Sequence, residues 1–392
     1  MTPRAVPRAE IYLDYAATAP IDPAVLEAMT DCLRDTYANP SSQHLPGRRA
    51  RKLVEAAREQ VAARVDAQPA RIVFTSGATE SNNLALQGVL GRRSGLRPQL
   101  VTSRIEHKSV LDTARALQAS GVEVAYVDCD GRGVIEPERV ADAITDRTVL
   151  VSIMHVNNET GVIQDVAAIA AVCRSRGVPL HVDAAQSVGK LPVELRRWGV
   201  DLCSLTAHKL CGPKGVGALY VTEAVNVSPL LHGGEQERGL RAGTLATHQI
   251  VGMGKAYDLA DPNVEGPRLA QLRDRLWGNL KNIPEVRLNG DPERRAPHLL
   301  NVSFPGVEGE SLRLAIADIA VSAGSACAAD SPEASHVLTG MGLSDVLAAS
   351  SLRFSVGRFT SDFEVAEAGV RVAEEVGRLR ALAISAPAWC RT

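Results

Sequence analysis

What this sequence lacks narrows its function before any motif is weighed. No apolar run reaches the roughly 18 to 20 residues that span a bilayer, and the opening MTPRAVPRAE has no hydrophobic core of a signal peptide. The expectation is a cytoplasmic protein. A basic excess is also missing. The 43 Lys and Arg face 45 Asp and Glu, a net charge of -2, so bulk electrostatics offer nucleic acid or an anionic membrane no particular attraction. The seven cysteines (Cys32, Cys129, Cys173, Cys203, Cys211, Cys327 and Cys390) are odd in number, scattered and never spaced as CxxC. That argues against a disulfide framework and against a structural zinc site, and no metal is expected. The thiols read as reduced, most of them core packing. Internal repeats and low-complexity tracts are absent.

What is present is a chain of 392 residues with 45% hydrophobic content, enough to bury a substantial core in two or three domains. Strand-like and helix-like segments alternate. Asp22 and Pro23 open a helix in DPAVLEAMTDCL as N-cap and first helical residue. RIVFTSG reads as a buried strand and ATESNNLALQGVL as the helix after it. QLVTS pairs with SVLDTARALQASG in the same way, and TVLVSIMHV with DVAAIAAVCRSRG. Three short apolar runs follow, PLHVDAA, LCSLT and GALYV. This alternation predicts a mostly parallel sheet covered by helices on both faces. Near AYDLADPNVEGPRLAQLRDRL a polar, proline-bearing link marks a domain boundary, followed by a long helix and the strands VRLNG, LLNVSF and LRFSV. A last helix from about Ser361 carries Val365, Val372, Val376 and Leu379 on one stripe.

Ligands of open parallel sheets bind beyond the carboxyl ends of the strands, so polar residues at strand-to-loop junctions carry the functional signal. FTSGATESNN brings small residues, backbone amides and a helix start together at Ser76, Gly77, Ala78 and Thr79, an arrangement suited to phosphate. Taken alone, the fragment reads as an ordinary capped helix. Asp183 ends the strand in HVDAAQSVG, while Thr206, His208 and Lys209 end the one in SLTAHK. A lysine amine, an acid able to protonate a pyridine nitrogen and a phosphate cradle are the three parts that a pyridoxal phosphate site needs.

On this joint pattern the chain resembles a known family. YLDYAATAP, ANPSSQH, FTSGATESNN, EHKSV, MHVNNETG, HVDAAQSVGK, AHKLCGPKGVG, GGEQERGLRAGT, GSAC and SSLRFSVGRFT occur in the order found in cysteine desulfurases, from about residue 11 to about residue 380. The resemblance implies a pyridoxal phosphate enzyme of the aminotransferase class V group, fold type I. Its mostly parallel seven-stranded sheet would lie in a large domain over 19–265. A smaller α/β domain would comprise 1–18 and 266–392 and carry the reactive-cysteine loop, of the long-loop class.

The resemblance also assigns roles. Lys209 would bond the cofactor and later move protons at the substrate α and β carbons. His107 would lie over the cofactor ring as acid or base, Asp183 would pair with the pyridine nitrogen, and Gln186 would hydrogen-bond the ring oxygen. Ala78, Thr79, Thr206 and His208 would hold the phosphate, joined by Thr244 from the second subunit of a homodimer. Arg353 would take the substrate carboxylate in a bidentate fork, assisted by Asn158. A surface ion pair is the commoner fate of an arginine, but Arg353 sits within a hydrophobic strand. Cys327, flanked by Gly324, Ser325, Ala326 and Ala328, is the reactive thiol expected to receive sulfur from L-cysteine as a persulfide.

Two departures stand out. The chain ends at ALAISAPAWCRT, where iron-sulfur assembly desulfurases usually continue with an acidic and aromatic tail. Ala207 and Cys211 replace a Gly and a Tyr frequent in the lysine block. Three sulfur destinations follow, by way of an acceptor protein: iron-sulfur clusters, thiolated tRNA or phosphorothioate DNA, the short tail pointing toward the last. The alternatives are a selenocysteine lyase or another aminotransferase-like enzyme, and a binding or regulatory subunit that keeps the fold without turnover.

Overall fold

The computed structural model describes residues 10–91, 97–323 and 334–385. Cys327 and Cys390 lie outside them. In chain order its strands are β1 (Ile11–Tyr12), β2 (Ile72–Thr75), β3 (Gln99–Ser103), β4 (Glu123–Val127), β5 (Thr148–Ser152), β6 (Leu180–Asp183), β7 (Leu202–Thr206), β8 (Gly217–Val221), β9 (Arg287–Leu288), β10 (Leu299–Ser303), β11 (Ile319–Ala320), β12 (Ser322–Ala323) and β13 (Ser351–Ser355).

Seven of them form one sheet in the order β2-β8-β7-β6-β5-β3-β4. Strands β3 to β7 are mutually parallel, and β8 runs antiparallel to both β2 and β7. This is the mostly parallel sheet that the alternating pattern predicts. Every residue of β2, β3, β6, β7 and β8 is buried, because helices cover both faces. Val101, Val151, Val182 and Leu205 belong to the apolar core on one face, and Val73, Leu100, Leu150 and Leu202 to that on the other. From β3 the chain goes outward to β4 and then returns to the other side of β3 as β5. That reversal opens a crevice at the carboxyl ends of β3 and β5.

The second sheet is antiparallel, in the order β12-β13-β10-β9, and β1 pairs with β11 beside it. Its own core joins Leu300, Val302 and Phe354 to the helices Pro262–Leu280 and Asp362–Ser385. Val365, Val372 and Val376 of the predicted stripe are buried there, with Leu379 partly buried against them. The polar link expected around residue 260 is almost entirely helix. The helices Thr247–Leu259 and Pro262–Leu280 are separated by Ala260 and Asp261 alone. Asp261 caps the second by accepting from the Asn263 amide at 3.0 Å, and Pro262 takes the first helical position. Residues that read as loop-forming are helix-start signals here.

The described cysteines Cys32, Cys129, Cys173, Cys203 and Cys211 are free and buried. No helix among the described residues is long and apolar enough to cross a membrane.

Candidate active site

A cavity of about 530 Å³ opens at the carboxyl ends of the parallel strands. Its lining includes Ala78, Thr79, His107, Asn158, Asp183, Gln186, Thr206, His208, Lys209 and Arg353. Ten residues singled out from the sequence therefore meet at one place. Thr244 is exposed and does not line the cavity, and Cys327 lies outside the described residues.

The turn after β2 leads into the helix Ala78–Leu90, which has no side-chain cap, so its first amides are left to a ligand or water. Close approach needs glycine on the neighbouring strand. A Cβ on Gly217 would stand 2.6 Å from the Gly77 Cα, so the glycine of PKGVG lets β8 support this turn. Glu80 in the first turn accepts from the Ser76 amide at 2.7 Å and from Arg241 at 3.0 Å. Burial opposes its ionisation, but these partners hold the carboxyl below its usual range.

Strands β6 and β7 lie side by side with Asp183 opposite Ser204. The reversal from β7 to the antiparallel β8 carries His208 and Lys209 over the strand ends. Asp183 is buried, its Oδ1 accepting from the Ala185 amide at 2.9 Å and its Oδ2 from Asn82 Nδ2 at 2.8 Å. The Lys209 carbonyl accepts from Lys190 Nζ at 2.9 Å, and burial lowers that second lysine to about 8. His208 meets the Thr18 hydroxyl at 3.2 Å and is pushed down to about 4 by burial and then by Lys209. The Thr206 hydroxyl is buried with no partner among the described residues. Such an orphan costs free energy unless something else binds it.

Gln186 donates from Nε2 to the Ala16 carbonyl at 2.9 Å, and its Oε1 faces His298 Nε2 at 3.3 Å. Arg353, 2% exposed, donates from Nη1 to the Asn158 carbonyl at 2.9 Å, and from Nη2 to Asp14 at 2.9 Å and the Ser322 hydroxyl at 3.0 Å. Its Nε is buried without a partner among the described residues. Asn158 thus approaches Arg353 through its backbone carbonyl.

Sequence reasoning missed Asn82, Ser109, Asp14, Lys190 and Glu159. Asn82 had a readable signal, since it stands one helical turn after Ala78 in ATESNN and is completely buried. Glu159 lines the cavity and accepts from the Ser335 hydroxyl, and burial raises its carboxyl to about 7.

With this geometry in hand, comparison with known proteins places the chain. The aminotransferase class-V family model matches residues 11–367, and the chain belongs to that family. Cysteine desulfurase IscS of Aeromonas hydrophila subsp. hydrophila is 52% identical over 386 residues, covering 97% of this chain and 95% of the relative. Among solved structures, a NifS-like protein superposes with a TM-score of 0.89 at 36% identity, over 94% of this chain and 100% of the other. SspA in complex with cysteine gives 0.81 at 38% identity, over 90% of this chain and 100% of the other.

Proposed function

We propose that this chain is a pyridoxal phosphate-dependent L-cysteine desulfurase. The observation that carries the reading is the convergence of Lys209, Asp183 and Arg353 on one cavity beside an uncapped helix start. The cavity volume suits a cofactor with its substrate. The amides of Ala78 and Thr79 and the orphan Thr206 hydroxyl fit a phosphate, with His208 next to them. Thr244 of a second copy completes that cradle in a homodimer.

When bound, the cofactor supplies an aldehyde for amine exchange and a ring that accepts electrons. Asp183 would hold the ring nitrogen protonated, and Gln186 would hydrogen-bond the ring oxygen. Lys209 moves protons at the substrate α and β carbons, and His107 serves as a second proton-handling group. Arg353, with Asn158 beside it, orients the substrate carboxylate, and its unpartnered Nε hydrogen and second Nη1 hydrogen are the donors left for that anion. The thiolate of Cys327 takes the substrate sulfur: a carbon–sulfur bond breaks, a sulfur–sulfur bond forms, and the carbon gains a proton to leave as L-alanine. The persulfide passes to an acceptor protein for iron-sulfur cluster assembly, tRNA thiolation or DNA phosphorothioation.

L-cysteine as substrate is supported by the activity named for the 52% identical relative and by the ligand of the SspA structure. The division into domains 19–265, and 1–18 with 266–392, is supported by two separate apolar cores, one around each sheet. A cytoplasmic site of action suits a reduced thiol nucleophile.

The test is Cys327→Ser. This variant is expected to retain pyridoxal phosphate and bind L-cysteine while persulfide and sulfide production collapse. Full sulfide production overturns the assignment. Alanine release that survives without persulfide turns the reading toward a lyase such as one acting on selenocysteine.

A further inference from the structure

His107 serves two masters. It lines the cavity, and it is also the N-cap of the helix Lys108–Ala119, whose first amides need an acceptor. Its Nδ1 accepts from the Ser109 amide at 3.1 Å. A backbone N–H can only donate, so Nδ1 carries a lone pair and no proton.

A second donor reinforces this. The Ser109 hydroxyl lies 2.8 Å from the same Nδ1. That hydroxyl accepts from Asn82 Nδ2 at 2.8 Å, which leaves its own hydrogen for the imidazole. Asn82 directs its other amide hydrogen to Asp183 Oδ2 at 2.8 Å. The carboxylate fixes the amide, because the opposite orientation would set Asn82 Oδ1 against an anionic oxygen. A buried chain therefore runs from Asp183 through Asn82 and Ser109 to His107.

We infer that this chain and the helix cap fix His107 as the neutral tautomer with its proton on Nε2, so that it enters the reaction as a neutral hydrogen-bond donor through Nε2. Asn82 and Ser109 are the positioning residues. The inference deepens the desulfurase reading and rests on it for the word reaction, while the tautomer rests on the geometry alone. Accepting a proton would place it on Nδ1, facing the Ser109 N–H and breaking the cap. Of the groups around the ring, burial and then Lys209 disfavour its charged form, His336 adds to them, and Asp183 and Asp112 oppose; the net shift is downward.

The holoenzyme, labelled with nitrogen-15 in its histidine rings, reports the tautomer directly. Signals absent from the His107→Gln variant assign the residue. At neutral pH, Nδ1 is expected in the unprotonated range and Nε2 in the protonated range. A protonated Nδ1, or a doubly protonated ring, overturns the inference. Ser109→Ala is expected to lower kcat for alanine release about tenfold with KM little changed, the worth of one hydrogen bond. Ser109→Thr, which keeps the hydroxyl, is expected to restore it. Asn82→Leu cuts the same chain, so its effect and that of Ser109→Ala should not add in the double variant. Full additivity, or an unchanged kcat in Ser109→Ala, removes these residues from the role. Wild-type protein that binds no pyridoxal phosphate and releases no alanine from cysteine fails the functional reading. Wild-type protein that does both with Nδ1 protonated fails this inference only.

Discussion

Two sheets contribute to the cavity in different ways. The seven-stranded sheet supplies Asp183 at the end of β6 and His208 and Lys209 just beyond the end of β7. The four-stranded sheet supplies Arg353 from the middle of β13, with its hydrogen-bond partners drawn from 322, 158 and 14. A residue at or just beyond a strand end can face a ligand directly, because the sheet beneath is already complete, although Asp183 still takes hydrogen bonds from Ala185 and Asn82. One in a strand interior is buried with its charge, and it needs partners to offset desolvation. The first sheet thus presents the groups proposed to react, and the second holds in place the one proposed to recognise the substrate.

Lys209→Ala is the harshest test of the first half. Loss of the amine proposed to handle protons should lower alanine release by about 10²- to 10⁴-fold, while the denaturant midpoint stays near wild type. Turnover close to wild type removes Lys209 from the chemistry. Phe354→Ala probes the second half. Phe354 is fully buried beside Arg353, and truncation should cost about 3 to 5 kcal/mol of stability. If the two sheets differ as described, KM for cysteine should rise as well. A stability loss with an unchanged KM breaks the link between packing and recognition in the second sheet.

The interior of the first sheet also titrates. His181, clamped between Ser152 at 2.8 Å and Ser204 at 2.9 Å, is lowered by burial from 6.5 to about 4. Between those values the unfolded chain binds the proton and the folded one does not, so stability falls as pH falls through this window and levels off below it. The loss from this residue should approach about 3 kcal/mol by the lower end. Denaturant midpoints measured against pH should flatten in His181→Asn, and an unflattened profile assigns the acid sensitivity elsewhere. The smallest effect is expected of Arg353→Lys, which keeps the charge but not the planar fork. KM should rise roughly 10- to 100-fold with a smaller change in kcat. An equal loss in kcat and kcat/KM would instead place Arg353 in transition-state chemistry.

Much of this candidate site was legible because several residues that line the cavity follow buried apolar runs. Strands such as IVFT and LCSLT announce themselves by composition, and a polar residue at the end of such a run stands at the ligand-binding edge of the sheet. Lys209, Asp183 and Ala78 were readable as cavity-lining positions on that ground, and the family resemblance suggested the roles proposed for them. The link near residue 260 proved shorter than its composition suggested, for a local reason. Asp261, Pro262 and Pro267 are polar or loop-forming in isolation, and only the apolar stripe Leu269, Leu272 and Leu276 shows that a helix has begun.

By itself, then, the sequence determined the alternation of buried strands and covering helices, and with it the edge on which chemistry could occur. These are properties of short segments, since periodicity and capping act over one or two turns. Tertiary structure alone decided which groups touch. Asn82 reaches Asp183 across 101 residues, and Asp14 reaches Arg353 across 339. Neither pairing leaves a trace in local pattern, because a hydrogen bond between remote segments depends on packing that brings both into a space closed to water.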